Sequence, residues 1–172
     1  MIVAVVVTYG PDPRTAELIR ALGSQVEQIV VVDNGSSPAA LRTISEAIDT
    51  AGAQLIELGD NTGIAHAQNV GIVRAKELGA THVLLSDQDS LPASDMVARL
   101  LARLDATPGA GAVGPYIAEN KPGGDELVYV DRRWGPRRAS AEELTSPAVD
   151  AAFLLASGCL IPMEVLGAVG PM

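Results

Sequence analysis

Val83-Leu84-Leu85-Ser86-Asp87-Gln88-Asp89-Ser90 is a short apolar run that ends in two carboxylates one residue apart. An apolar run of this length predicts a buried strand, and strand side chains alternate between faces. Asp87 and Asp89 therefore share a face where the chain leaves the sheet. Two carboxylates side by side repel by about 1 kcal/mol in water-like surroundings, and by more when partly buried. A divalent cation, a shared proton or a nearby Arg or Lys offsets such repulsion. No Lys or Arg lies between Lys76 and Arg99, so a metal is the first expectation. The plainer reading has one Asp capping the following turn and the other solvated.

Working outward, the same grammar recurs. Ile2–Thr8 is an apolar strand, and Asp12-Pro13 caps a helix whose stripe is Leu18, Ile19 and Leu22. Residues 28–32 form a second strand, closed by Asp33-Asn34-Gly35-Ser36-Ser37. Ser37-Pro38 starts another helix, with Leu41, Ile44 and Ile48 on one face. Residues 54–58 make a third strand, a helix follows from about Ile64 to Leu78, and residues 82–86 make the fourth. Met96, Val97, Leu100, Leu101 and Leu104 mark the next helix, and residues 111–114 read as a short fifth strand.

This βαβα alternation predicts an α/β fold, a doubly wound, mostly parallel sheet with helices on both faces. In such sheets ligands bind outside the carboxyl ends of the strands. Those ends carry Thr8-Tyr9, Asp33-Asn34, Asn61-Thr62-Gly63 and Asp87-Gln88-Asp89.

The pattern breaks at about residue 117. Lys121-Pro122-Gly123-Gly124 reads as a turn and Leu127–Val130 as a short strand. Arg132, Arg133, Arg137 and Arg138 surround Trp134, which reads as a solvated loop anchored by the Trp. The alternative is a movable segment beside an anionic ligand. Val149–Ile161 reads as a buried strand, followed by a helix from Met163.

Composition narrows the class. The 172 residues suffice for one domain with a proper core, and aromatics at 3% favour a helix-covered parallel sheet over a sandwich. A net charge of -9 argues against nucleic acid as a partner. The lone Cys159 excludes an internal disulfide and fits a reducing compartment. No run of about 18 apolar residues exists, so a cytoplasmic protein is expected, with peripheral contact at the inner face of the membrane left open. No G-x-G-x-x-G follows the first strand and no Walker A lysine is present.

Taken in order, Val6-Val7-Thr8-Tyr9, the segment 30–36, the segment from Asn61 to Gly71 and Leu85-Ser86-Asp87-Gln88-Asp89-Ser90 resemble glycosyltransferase family 2. The D-Q-D-S form of the D-x-D motif and Gly63-Ile64-Ala65-His66-Ala67-Gln68-Asn69 resemble its bacterial rhamnosyltransferase branch. The resemblance implies a GT-A fold and inverting transfer of a sugar, L-rhamnose from dTDP-L-rhamnose, to a cell-surface polysaccharide or lipid-linked glycan acceptor. It implies that Thr8 and Tyr9 line the nucleoside pocket and that Asp33 accepts the imide N–H of a pyrimidine. Asn61, Gly63 and Asn69 would shape the floor near base and ribose. Asp89, with Asp87, would hold Mg²⁺ or Mn²⁺, and Asp87 and Gln88 would also face the donor. Residues 1–115 would be the nucleotide-sugar-binding half of one domain, and 116–172 the incomplete start of the acceptor half. The acidic motif that supplies the general base in the family would lie beyond Met172, so the base stays unassigned. Uncovered apolar surface near 149–169 then predicts self-association, a homo-oligomer included. The alternatives are a catalytically silent nucleotide-sugar-binding fragment or a sugar-nucleotide nucleotidyltransferase.

Overall fold

In the computed structural model, which describes residues 1–116 and 128–172, five strands form one sheet in the order β3-β2-β1-β4-β7. Strands β1 (Ile2–Thr8), β2 (Gln28–Asp33), β3 (Gln54–Glu57) and β4 (His82–Asp87) run parallel. β7 (Cys159–Pro162) closes the edge antiparallel to β4. β1 is buried along its whole length because both of its faces are covered by helices.

Alternation along the strands builds two apolar layers. Ile2, Ala4 and Val6 of β1 join Ile29, Val31 and Leu84 on one face. They pack against α1 (Pro13–Gly23), α3 (Ser45–Ala51) and α5 (Met96–Asp105). Val3, Val5 and Val7 join Val30, Val32, Val83 and Leu85 on the other face, beneath α4 (Ile64–Glu77) and α6 (Met163–Val169). Each fully buried Val or Leu contributes about 1.5–3 kcal/mol, so these layers dominate the stability. Helix α4 approaches the sheet closely at Gly71, where an added Cβ would lie 2.3 Å from Val5 Cγ1. Only glycine fits there.

Local signals explain the helix starts. Asp12 accepts hydrogen bonds from the N–H groups of Arg14 (2.8 Å) and Thr15 (3.2 Å), and Thr15 Oγ1 accepts from the Asp12 N–H. This capping box fixes where α1 begins. The segment 38–51 departs from the single helix its periodicity predicts. It breaks into α2 (Pro38–Arg42) and α3 because the Thr43 hydroxyl donates to the carbonyls of Ala40 (2.6 Å) and Pro11 (3.1 Å).

The expected fifth strand at 111–114 reduces to one bridge, Val113 with Leu160, since Gly111, Gly114 and Pro115 bound it. The strand expected over 149–161 is likewise shortened to β7. Residues 151–156, Ala-Ala-Phe-Leu-Leu-Ala, include no β-branched residue and meet the hairpin of β5 (Tyr129–Val130) and β6 (Arg137–Arg138) instead. There Ala152 N–H donates to the Tyr129 carbonyl at 2.7 Å, and the Tyr129 and Phe153 rings stack at 5.2 Å. Trp134 anchors nothing: it is 91% exposed at the hairpin turn, with Arg133 over its ring at 5.3 Å. Of the short strand expected over Leu127–Val130, Leu127 lies outside the described residues, as does the turn at 121–124. Among the described residues no helix is long and apolar enough to cross a membrane.

Candidate functional site

The strand order places the topological switch point between β1 and β4. From β1 the chain winds outward through β2 and β3, then returns across β1 to β4 on its other side. Loops leaving the carboxyl ends of β1 and β4 therefore diverge and leave a crevice. A cleft of about 370 Å³ opens there, lined by Val7, Thr8, Tyr9, Asn34, Asn61, Ile64, Asp87, Gln88 and Asp89.

Asp87 ends β4 half-buried, and Asp89 sits exposed in the turn that follows. Burial, and then the charge of Asp89, push the Asp87 carboxyl above its ordinary value. Among the described residues no Lys or Arg lines the cleft beside the pair. A divalent cation fits this donor set. Among the described residues no third His, Cys, Asp or Glu joins the pair. Mg²⁺ or Mn²⁺ here would rely on one or two carboxylates, with ligand phosphate and water completing the shell.

Gln88 faces across the crevice. Its Oε1 accepts from the Tyr9 N–H at 2.9 Å and its Nε2 donates to the Tyr9 carbonyl at 3.2 Å. This reciprocal pair clamps the end of β1 to the turn after β4. The Tyr9 side chain stays exposed on the cleft wall.

Asp33 lies under the rim rather than on it, 1% exposed. Its Oδ1 accepts from Thr8 Oγ1 (3.0 Å) and from the Ser36 hydroxyl, and its Oδ2 from the N–H groups of Gly35 (3.2 Å) and Ser36 (2.8 Å). Four donors fill the acceptor capacity of a carboxylate. A base N–H reaches Asp33 only by displacing one of them, and the Ser36 hydroxyl is the most readily turned. Ser36 Oγ also accepts from the Gly10 N–H at 2.8 Å, so the loop after β1 joins the same network.

Asn34 lines the cleft as well, although Asp33-Asn34-Gly35 reads as a turn and no site role was expected of Asn34. Its Oδ1 accepts from the Thr62 N–H (2.9 Å) and hydroxyl (3.2 Å), and its Nδ2 donates to Asn61 Oδ1 (3.0 Å). Gly35 permits this contact: an added Cβ would come within 2.7 Å of the Asp60 carbonyl carbon. The signal was an amide next to a glycine at a strand end, where two loops must meet. Gly63 starts α4 with φ of 90° and does not line the cleft. Asn69 lies outside it too, holding the N–H and carbonyl of Met172 at 3.0 and 2.8 Å. Thr8, Tyr9, Asn61, Asp87, Gln88 and Asp89 are thus brought together, Asp33 lies beneath, and Gly63 and Asn69 stand apart.

Residues 3–168 match the profile of glycosyl transferase family 2. The chain belongs to this family. The dTDP-rhamnosyl transferase RfbF of Shigella flexneri is 31% identical over 174 residues, covering 99% of this chain and 57% of that protein. Among solved structures, the mannosyltransferase PcManGT of Pyrobaculum calidifontis, in complex with GDP-Man and Mn²⁺, superposes with a TM-score of 0.70 at 22% identity. That match covers 99% of this chain and 46% of the mannosyltransferase. S. aureus TarS 1-349 in complex with UDP gives 0.70 at 18% identity, covering 98% and 48%. The fold is therefore GT-A, and the chain spans about half the length of these relatives.

Two features belong to this family member's frame rather than its cleft. Cys159 is buried and its thiol is pushed up to about 11 by burial, which makes it an inert core group. Asp150 lines a separate cleft of about 250 Å³ with Arg132 and Glu143.

Proposed function

We propose that this chain carries the donor site of an inverting glycosyltransferase that moves L-rhamnose from dTDP-L-rhamnose to a polysaccharide or lipid-linked acceptor of the cell surface. The carrying observation is the carboxylate pair Asp87 and Asp89 in the cleft at the switch point, with no Lys or Arg among the described residues that line it. The sugar assignment rests on the likeness to the Shigella rhamnosyl transferase.

In this reading residues 1–115 bind the nucleotide sugar and residues 116–172 begin the acceptor side. Asp87 and Asp89 would hold Mg²⁺ or Mn²⁺, and the Gln88 clamp keeps both carboxylates on the same wall as Tyr9. The cation, when bound, supplies Lewis-acid stabilisation of charge on the leaving diphosphate. Tyr9 and Ile64 give the nucleoside an apolar surface. Thr8 and the Asp33 network hold the rim rigid, and an imide N–H is read where the Ser36 hydroxyl turns away from Asp33. Inversion needs a carboxylate to take the acceptor's proton. In this reading that group comes from the part of the relatives' length that this chain does not span. The enzyme works at the cytoplasmic face of the membrane, where a lipid-linked acceptor would be met.

Competition binding among dTDP-L-rhamnose, UDP-glucose and GDP-mannose with Mn²⁺ tests the reading. The rhamnose donor should bind tightest. Preference for another sugar nucleotide overturns the sugar assignment, and binding of none overturns the donor site.

A further inference from the structure

The register between β1 and β4 ends at Val7 and Asp87, and beyond it a side chain carries the pairing one step further. In a regular parallel ladder the neighbouring backbone takes both the N–H and the carbonyl of a residue that faces it. Tyr9 gives both to one side chain instead, the half-buried Gln88, at 2.9 and 3.2 Å. The Tyr9 N–H can only donate and the Tyr9 carbonyl can only accept, so the orientation of the Gln88 amide is fixed. Residues 88 and 89 are thereby free to turn away from the sheet while their place against β1 stays set.

Few side chains could do this. The clamp needs a donor and an acceptor on one planar group, at the end of a stem long enough to cross to β1. Glu has no donor, Lys and Arg have no acceptor, and Asn is one methylene shorter. Gln88 also sits between Asp87 and Asp89 in the chain, so what it fixes is the turn that presents both carboxylates to the cleft. Cations differ in how much they need that turn fixed. Mg²⁺ and Mn²⁺ demand a near-octahedral set of oxygens, whereas Ca²⁺ accepts larger and less regular shells. A held turn offers one arrangement of the two carboxylates, and a loose turn offers many.

We infer that Gln88 is a positioning residue that sets the cation selectivity of the cleft, holding Asp87 and Asp89 in an arrangement that favours Mg²⁺ and Mn²⁺ over Ca²⁺. The inference rests on the donor-site reading above. It gives the Gln88 side chain to β1 rather than to the donor, since both ends of its amide are already engaged by Tyr9.

Gln88→Met provides the test, because it removes the amide and keeps the bulk. Both bonds of the clamp are open to solvent, so water takes over the Tyr9 groups and the melting temperature should change little. dTDP is titrated calorimetrically into wild type and variant, once with saturating Mn²⁺ and once with saturating Ca²⁺. The wild type should bind dTDP more tightly with Mn²⁺. The ratio of the Mn²⁺ to the Ca²⁺ affinity should fall by about tenfold or more in the variant, as expected when an orienting partner of metal ligands is lost. Gln88→Asn, which keeps the amide but not its reach, should lower the ratio as well. Equal losses with both cations would place Gln88 against the nucleotide itself, and would overturn the inference while leaving the donor site standing. A ratio unchanged in either variant, or a wild type indifferent to the cation, would overturn it likewise. Failure of the wild type to bind dTDP with either cation would overturn both readings.

Discussion

Asp87 carries a charge that its surroundings disfavour. Its carboxyl is raised by burial and by Asp89, so the folded protein holds a proton there at pH values where the unfolded chain has released it. Folding stability therefore falls as pH rises through the raised value, and the cost persists at neutral pH. Asp87→Asn should raise the melting temperature at pH 7, and the gain should vanish below the ordinary carboxylate value. Because Asp87 is only half-buried, solvent screens part of the effect, and a shift on the order of 1–2 °C is expected. Mn²⁺ should stabilise the wild type but not Asp87→Asn to the same extent. A scanning-calorimetry series over pH checks both; a variant less stable than wild type at pH 7 would show that the carboxylate has an unseen partner.

Helix α4 is where one residue decides an element. Gly71→Ala places a Cβ 2.3 Å from Val5 Cγ1, so α4 must lift from β1. Overpacking of this kind costs about 1–3 kcal/mol, read from the midpoint of urea unfolding. An unchanged midpoint would mean that the helix rides farther from the sheet. Just beyond the β5–β6 hairpin, Glu143 is lowered to about 2 by the Ser140 N–H, the Arg137 hydrogen bonds and the Arg137 charge. Such a contribution is present above the ordinary carboxylate value and is lost as pH falls toward about 2. Glu143 joins Arg132 and Arg137, the latter at 2.9 Å through both nitrogens. Glu143→Gln should release the hairpin, and trypsin should cut at its arginines several-fold faster at pH 8. The parallel strands were legible because their apolar runs are long and both faces are covered. The segment from 149 to 155 was not, because Phe153, Leu154 and Leu155 read as core while they stand exposed. Hydrophobicity alone carries no record of what covers it. The convergence of Thr8, Tyr9, Asp87, Gln88 and Asp89 was legible from topology, whereas the contact of Asn69 with Met172, distant in sequence, was not. The contacts of Asn34 were hidden for the same reason, since the loop it meets lies 28 residues on.

At the scale of the molecule, the two layers over the sheet are closed, but Phe153, Leu154, Leu155, Val169 and Met172 remain exposed together with Trp134. Apolar surface of this kind drives association. Sedimentation velocity should show concentration-dependent oligomers of this chain, reduced by Phe153→Ser combined with Leu155→Ser; a monomer at all concentrations would show that the surface is too dispersed to associate. The donor site does not depend on that outcome, since every described residue that lines the cleft comes from the segment between β1 and the turn after β4. The central claim is that this cleft binds a nucleoside diphosphate through a cation held by Asp87 and Asp89. The measurement is calorimetric titration of dTDP with and without Mn²⁺, for wild type and Asp89→Ala. Binding should strengthen by about tenfold or more with Mn²⁺ in the wild type and lose most of that gain in the variant. Binding that ignores the metal and is unchanged by Asp89→Ala would contradict it.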